Sequence, residues 1–226
     1  MSKKSSDKIN TITPILILTY GFPGAGKTYF ARQLAESIQI AHLEQDRIRH
    51  ELFQQPRYSK QENSALNRIM TYMTNEFLTA GISVIMDMNA MRVSQRRSLR
   101  EMARLNGANT LVVWFQIDPD TAFLRNHNRD RRTSDDKYAV GYDVESFKQM
   151  ASYMENPEPT EDFMVVSGKH SFNGQLSTIV KKLSDLGNIK SSAAAHKMIK
   201  PELVNLVPTP HGSSIKPGSR RNIVLR

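Results

Sequence analysis

A glycine-rich segment directly after the first apolar run constrains the fold of this 226-residue chain more than any other feature. The run Ile15–Tyr20 leads into the octapeptide GFPGAGKT at residues 21–28, which matches the pattern G-x-x-x-x-G-K-[ST]. A helical pattern follows from Lys27 onwards. Glycines let the backbone approach a phosphate group, successive N–H groups point at it, and the helix N-terminus adds a positive field. The segment therefore predicts a phosphate-binding loop between a buried strand and a helix.

The two polar residues at the end of this loop have distinct expected tasks. The ammonium group of Lys27 can reach the β- and γ-phosphates of a nucleotide, and the Thr28 hydroxyl can bind Mg²⁺. We therefore expect ATP and Mg²⁺ as cofactors, with a preference for ATP over GTP left open by the sequence. The residues expected to contact the nucleotide are Gly21, Phe22, Pro23, Gly24, Ala25, Gly26, Lys27, Thr28 and Tyr29.

The central region alternates short apolar runs with helical patterns, which is typical of βαβ units around a parallel sheet. Runs such as ILILT and TLVVWFQI are continuously apolar, as strands buried on both faces are. The predicted strands are Ile15–Tyr20, Ala41–Glu44, Ile82–Asp87, Thr110–Ile117 and Phe163–Ser167. The predicted helices are Lys27–Ile38, Asp46–Leu52, Lys60–Thr79, Val93–Asn106, Pro119–Asn128, Val144–Tyr153 and Leu176–Leu186. This pattern predicts an α/β fold with a five-stranded, mostly parallel sheet and helices on both faces.

Two aspartates follow predicted strands, and ligands of open parallel sheets bind at the carboxyl ends of the strands. Asp87 ends the third predicted strand and is the candidate that holds Mg²⁺, directly or through water. Asp46 follows the second strand and is the candidate that accepts the proton of an acceptor hydroxyl. Arg49 lies one helical turn after Asp46, where it can bind an anionic acceptor. The structural alternative for Asp46 is that it caps the short helix that follows.

A cluster of arginines follows the fourth predicted strand and its helix. Arg125 and Arg129 are one helical turn apart, and Arg131, Arg132 and the polar stretch Thr133–Lys137 come next. A flap that carries such arginines would neutralise charge on a transferred phosphoryl group and exclude water on closing. Arg125 and Arg129 are therefore candidate nucleotide contacts, with Arg129 the catalytic candidate. The alternative is a solvated, charged helix end.

In these segments the chain resembles the P-loop kinase-like ATPases, an AAA-type family that includes the 5′-kinase domain of polynucleotide kinases and gluconate-kinase-like phosphotransferases. The matching segments are GFPGAGKT, Asp46-Arg-Ile-Arg49, Asp87-Met-Asn89, Arg96-Arg97, Arg125-Asn-His-Asn-Arg129 and ENPEPTEDF at residues 155–163. The resemblance spans residues 13–186. It implies a P-loop nucleoside triphosphate hydrolase fold with strand order 2-3-1-4-5.

The resemblance also implies roles for individual residues. In polynucleotide kinases a D-x-x-R motif supplies the base and an arginine that binds phosphate, and these roles fall on Asp46 and Arg49. The lid arginines of that family correspond to Arg125 and Arg129. The Asp-Thr-Asn segment of that family appears here as Asp87-Met88-Asn89, which makes Asn89 a candidate substrate contact. In this chain, extra residues separate that segment from the pair Arg96-Arg97.

The acceptor hydroxyl belongs either to a small molecule, such as a sugar, nucleoside or antibiotic, or to the 5′ end of a nucleic acid. Four arginines recur at four-residue spacing on one predicted helix, at Arg92, Arg96, Arg100 and Arg104. Such a row either follows the phosphates of a nucleic acid or faces solvent. Three candidate stacking residues fall in predicted loops, namely Tyr58, Tyr138 and Tyr142.

The net charge of +9 is concentrated at the two ends of the chain. Residues 187–226 carry +6 and residues 1–10 carry +2, so the central region is almost neutral. We predict a basic N-terminal extension at 1–12, a P-loop kinase-like domain at 13–186 and a basic, partly irregular tail at 187–226. The tail is either a solvated extension or a site for nucleic acid. The alternative function is therefore a nucleotide-dependent regulatory ATPase that binds RNA or a protein partner through this tail.

Several classes of protein are excluded by composition. The chain has no cysteine and hence no disulfide partner, and its six histidines lack the spacing of metal ligands. No apolar run approaches the roughly 18 residues that a membrane-spanning helix needs. We therefore expect a cytoplasmic enzyme that transfers the γ-phosphate of Mg·ATP to a hydroxyl, with Asp46, Lys27 and Arg129 as its catalytic residues.

Overall fold

The computed structural model describes residues 8–129 and 137–190. The candidates Arg131 and Arg132, residues 1–7 of the N-terminal extension and most of the tail lie outside these ranges. The described strands are β1 Ile15–Gly21, β2 Ala41–Glu44, β3 Val84–Asn89, β4 Asn109–Gln116 and β5 Phe163–Ser167. The described helices are α1 Lys27–Ser37, α2 Gln45–Leu52, α3 Lys60–Thr79, α4 Val93–Leu105, α5 Pro119–His127, α6 Val144–Ser152 and α7 Phe172–Asp185.

The five strands form one parallel sheet in the order β2-β3-β1-β4-β5. This confirms the predicted fold class and strand order. The first strand is central, with Leu16 opposite Val84 of β3 on one side and Thr110 of β4 on the other. All carboxyl ends of the strands therefore meet at one edge, where the loops after β1, β2 and β3 converge.

The sheet has a hydrophobic core on each face because successive side chains of a strand point in opposite directions. Ile15 and Ile17 of β1 pack with α1 and α7, whereas Leu16, Leu18 and Tyr20 pack on the side of α3 and α4. All five side chains are almost completely buried. This explains why β1 is a continuous apolar run in the sequence.

Two elements begin at least two residues away from their predicted start. Strand β3 begins at Val84 and not at Ile82, because Ile82 lies in the exposed turn that follows α3. Helix α7 begins at Phe172 and not at Leu176. The Phe172 ring lies 5.9 Å from that of Phe30, a tertiary contact that helical periodicity does not show.

The packed core extends beyond residues 13–186 at both ends. Ile9 and Ile189 are both buried in the cluster beneath α1 and α7. They are held by isolated bridges, from Ile9 to Ile38 and from Thr11 to Ile189.

The arginine row of α4 is only partly exposed to solvent, because one of its members lies inside the fold. Arg96 is fully buried and its guanidinium group donates to the Glu161 carboxylate at 2.9 Å. It also donates to the carbonyls of Ala90, Glu155 and Asn156. The pair therefore ties the segment before β5 to the start of α4. Arg100 and Arg104 bind the Thr160 carbonyl and the Glu101 carboxylate.

Candidate active site

The phosphate loop occupies the bend between β1 and α1 and requires glycine at two positions. Gly24 and Gly26 have φ values of 85° and 91°, in the left-handed region. A Cβ atom on Gly24 would lie 2.1 Å from the Ala122 carbonyl oxygen of α5. The loop therefore sits directly against α5, the helix that carries Arg125 and ends shortly before Arg129.

Lys27, the first residue of α1, turns its side chain back over the loop. Its Nζ donates to the carbonyls of Gly21 at 2.9 Å and Phe22 at 2.8 Å. Burial lowers the pKa of Lys27 to about 8, although the Asp87 carboxylate opposes this shift. The ammonium group thus remains mostly charged at neutral pH and lies at the centre of the loop, as a phosphate-binding lysine requires.

The two candidate aspartates converge on the same edge of the sheet. Asp87 is buried in β3, opposite Glu44 of β2, and Asp46 lies in the first turn of α2. Burial, together with the nearby Asp87 and Glu44 carboxylates, raises the pKa of Asp46 to about 6. Asp46 makes no capping bond, since the N-cap of α2 is Glu44 and no side chain caps this helix.

The same edge suits a hard divalent cation. Thr28 and Asp87 offer a hydroxyl and a carboxylate, the oxygen ligands that Mg²⁺ prefers. The repulsion that Asp87 exerts on the Asp46 carboxylate shows an excess of negative charge that a cation would neutralise. Mg²⁺ at this place would offset the charge of the nucleotide phosphates. The residues present therefore fit the ion.

Arg49 lies one turn after Asp46, as the spacing predicts, but its guanidinium group is buried and paired. It donates to Asn63 at 2.7 Å and to Glu62 at 3.3 Å. The guanidinium also lies over the Tyr58 ring, 4.5 Å from its centroid. The Arg49 Nε is a buried donor with no hydrogen-bond partner among the described residues.

The lid candidates face the phosphate loop across a cavity of about 290 Å³. Arg125 donates to the Gly168 carbonyl after β5 at 2.7 Å, and Arg129 lines the same cavity. Asp46 and Thr28 line it as well. Further lining residues are Gly24, Ala25, Gly26, Tyr29, Glu44, Tyr138, Ala139, Gly168, His170, Phe172 and Gln175.

Four residues of β3 and the phosphate loop hold the loop in place outside the cavity lining. Asn89 accepts the N–H of Gly21 at 3.3 Å, so its side chain fixes the start of the phosphate loop. The carbonyls of Gly21 and Phe22 hold Lys27, and Pro23 is buried within the loop. The structure thus brings Lys27, Thr28, Asp46, Asp87, Arg125 and Arg129 together, with Asn89 and Arg49 at their margins.

Sequence reasoning missed two groups of residues at this site. His42 Nε2 lies 3.3 Å from Asp87 Oδ2, and the two-residue period of β2 would have placed His42 on the same side as Glu44. Ala139 comes from the loop after α5, next to the candidate Tyr138, and His170, Phe172 and Gln175 come from the segment after β5. These contacts depend on the path by which the loops return to the sheet, and the spacing of residues in the sequence does not predict that path.

Solved structures with the same fold include several kinases. The gluconokinase of Sinorhizobium meliloti is 16% identical with a TM-score of 0.55, and the match covers 77% of this chain and 93% of that one. The APS kinase of Mycobacterium tuberculosis, in complex with AMPPNP and APS, is 16% identical with a TM-score of 0.54, over 76% and 98%. Kti12 of Chaetomium thermophilum, in complex with ADP-AlF3, is 17% identical with a TM-score of 0.58, over 75% and 97%. At these identities the likeness concerns the fold.

No curated protein matches the sequence. No helix among residues 8–129 and 137–190 is long and apolar enough to cross a membrane. A family model described as AAA domain matches residues 16–157, which is more than half of the chain. This segment includes the phosphate loop, both candidate aspartates and the lid arginines. The chain therefore belongs to the AAA domain family, with the architecture of the P-loop kinase-like ATPases.

Proposed function

We propose that this protein transfers the γ-phosphate of Mg·ATP to the hydroxyl group of an acceptor. The observation that carries the proposal is that Asp46 shares one cavity with the phosphate loop and Arg129. A carboxylate at this place can accept the proton of a hydroxyl that approaches the γ-phosphate. Two solved structures with the same fold are a gluconokinase and an APS kinase, which supports phosphoryl transfer as the reaction class.

The charges of the site suit this reaction at neutral pH. The acceptor oxygen forms a bond to the γ-phosphorus while the bond to the β–γ bridging oxygen breaks, and ADP leaves. Asp46 accepts the proton of the hydroxyl, and its pKa of about 6 leaves it mostly deprotonated yet more basic than an ordinary aspartate. Lys27 and Arg129 supply positive charge for the phosphates, where fixed charges act most strongly in a cavity with little water.

The proposal is tested by following label from γ-labelled ATP into a panel of acceptors. The panel contains nucleosides, nucleotides, 5′-hydroxyl oligonucleotides, sugars, sugar acids and aminoglycosides. Asp46→Asn is expected to lower kcat by about 10²- to 10⁴-fold while the Kd for ATP changes little, because only the proton acceptor is lost. The exposed Asp185, at the far end of α7, provides the matched control Asp185→Asn, which is expected to retain full transfer.

Two results would contradict the proposal. Full transfer by Asp46→Asn would show that Asp46 is not the proton acceptor. ATP binding without transfer to any acceptor would instead favour the regulatory ATPase, whose partner would then be sought with the basic tail present.

A further inference from the structure

The cavity has a second end, on the side of the phosphate loop away from Asp46. His170, Phe172 and Gln175 line this end, in the segment after β5 and the first turn of α7. Because β2 and β5 are the two edge strands of the sheet, the loop after the central β1 lies between this end and α2. A nucleotide whose γ-phosphate points at Asp46 therefore extends its base towards the segment after β5.

The segment after β5 packs directly against the phosphate loop. A Cβ atom on Gly168 would lie 2.9 Å from the Ala25 carbonyl oxygen of the loop. The Gly168 carbonyl accepts a hydrogen bond from the Arg125 guanidinium group at 2.7 Å. The position of this segment relative to the phosphate loop is therefore set by close backbone packing.

Flat side-chain groups border this end of the cavity. Tyr29, Arg125 and Phe172 all line it. The Phe172 ring lies 6.5 Å from the Tyr29 ring at an interplanar angle of 88°. Rings and guanidinium planes pack well against a planar group. This end of the cavity therefore suits the base of a nucleotide.

One polar side chain at this end is buried and yet has an unused acceptor atom. Gln175 is 8% exposed, and its Nε2 donates to the Ser167 carbonyl at 2.8 Å. A carbonyl oxygen only accepts hydrogen bonds, so the amide nitrogen must face Ser167 and the Oε1 atom must point away from it. Within residues 8–129 and 137–190, no group donates a hydrogen bond to this Oε1.

The unpaired Oε1 is not sealed inside the protein. In the part of the chain that the structure describes, the Arg49 Nε is the only fully buried side-chain nitrogen or oxygen without a partner. The Gln175 Oε1 is therefore accessible, and the space that Gln175 lines is the cavity. An acceptor oxygen held in one orientation beside the base selects a base that presents a donor to it.

We infer that Gln175 selects adenine as the base of the nucleotide by accepting a hydrogen bond from its 6-amino group. The inference rests on the proposed function, which makes ATP the phosphoryl donor and sets the orientation of the nucleotide. Adenine carries a donor at this position, whereas guanine carries an acceptor oxygen. The bond from Nε2 to Ser167 keeps the amide from turning its nitrogen towards that oxygen.

Calorimetric titration of the full chain with nucleoside diphosphates and Mg²⁺ tests the inference without any phosphoryl transfer. The ligands are ADP, purine riboside 5′-diphosphate, which lacks the 6-amino group, and GDP. The parent is expected to bind ADP about 5- to 150-fold more tightly than purine riboside diphosphate, since the latter leaves the Gln175 oxygen without a donor. GDP is expected to bind at least about fivefold more weakly than ADP, because two acceptor oxygens would face each other.

The variant Gln175→Met keeps the length of the side chain and removes its oxygen. In this variant the preference for ADP over purine riboside diphosphate is expected to fall below about twofold. Purine riboside diphosphate is expected to bind the variant about as tightly as the parent, which shows that the cavity is intact. Gln149→Met, at an exposed glutamine of α6, is the control and is expected to keep the full preference for ADP.

Two results would overturn the inference. Equal binding of ADP and purine riboside diphosphate by the parent would show that the 6-amino group is not bound, and this comparison needs no variant. A preference for ADP that persists in Gln175→Met would show that another group binds the amino group.

The titrations separate this inference from the proposed function. Absence of transfer to every acceptor, together with an ADP preference that Gln175→Met removes, would refute the proposed function and support Gln175 as the residue that selects adenine. Tighter binding of GDP than of ADP would overturn the inference, and transfer from GTP to an acceptor would then retain phosphoryl transfer as the reaction class.

Discussion

Removing the charge of Asp46 is expected to stabilise the folded protein while it abolishes phosphoryl transfer. In the folded state this carboxyl group has a pKa of about 6, against an ordinary value of 3.8, because it is buried near other carboxylates. Ionisation is therefore less favourable in the folded than in the unfolded chain. The asparagine side chain of the Asp46→Asn variant has nearly the same shape as aspartate and avoids this cost.

The magnitude follows from the two pKa values. Their difference corresponds to an unfolding free energy lowered by up to about 3 kcal/mol at pH values above 6, where the folded carboxyl is fully ionised. Stability is lost progressively as pH rises from about 4 to about 6, since the folded state holds its proton longer. The side chain is only half-buried, so we expect Asp46→Asn to gain about 1–3 kcal/mol at pH 7.5 and almost nothing at pH 4.

Urea unfolding of the unliganded protein measures this difference at both pH values. Asp185→Asn is the control, because an exposed substitution is expected to change stability by less than about 0.5 kcal/mol. Equal or lower stability of Asp46→Asn at pH 7.5 would refute the reasoning. A gain of the same size at pH 4 would refute it too, because the charge would then not be its cause.

Two further predictions concern the pH profile and the buried ion pair. The kcat/KM for phosphoryl transfer is expected to rise through about pH 6, as Asp46 loses its proton. It is expected to fall above about pH 8, as Lys27 loses its charge. Initial rates measured between about pH 5 and pH 9 check both changes. Glu161→Gln is expected to lower the unfolding free energy measured in urea by about 3–5 kcal/mol, since it leaves the buried Arg96 charge without its partner. Glu101→Gln, at an exposed pair on α4, is the control and is expected to leave the unfolding free energy nearly unchanged.

Strands and helices of this fold are predictable from the sequence because the sheet is parallel and buried. Continuous apolar runs mark the strands, and amphipathic periods mark the helices between them. The exceptions lie at Ile82 and Phe172, where packing and not local pattern sets the boundary. The strand order came from the resemblance to the P-loop kinase-like ATPases, since spacing alone does not determine which strands are neighbours.

The site was predictable to the extent that it lies at strand ends. Lys27, Asp46 and Asp87 each follow a strand, and parallel topology brings such residues to one edge. The burial of Arg96 was not predictable, because its helical spacing is the same as that of the exposed arginines. Arg96 is buried only because the chain returns to α4 at Glu161. The contact between Tyr138 and His50 of α2 was not predictable either, since Tyr138 reaches α2 through a loop that Asn126 holds.

The sequence leaves two interpretations of Asp46, as a proton acceptor or as a helix cap. The two interpretations predict opposite shifts of its pKa. A capping aspartate accepts backbone N–H groups, which stabilise its charge and lower its pKa. Asp143 does this at the start of α6, where it accepts the Ser146 N–H at 2.7 Å and its pKa is lowered. Asp46 lies in the first turn of α2 without any capping bond, and its pKa is raised. The first turn of α2 therefore shows none of the capping bonds that lower the pKa of Asp143, and the role of Asp46 as proton acceptor is the proposal that the Asp46→Asn transfer assay tests.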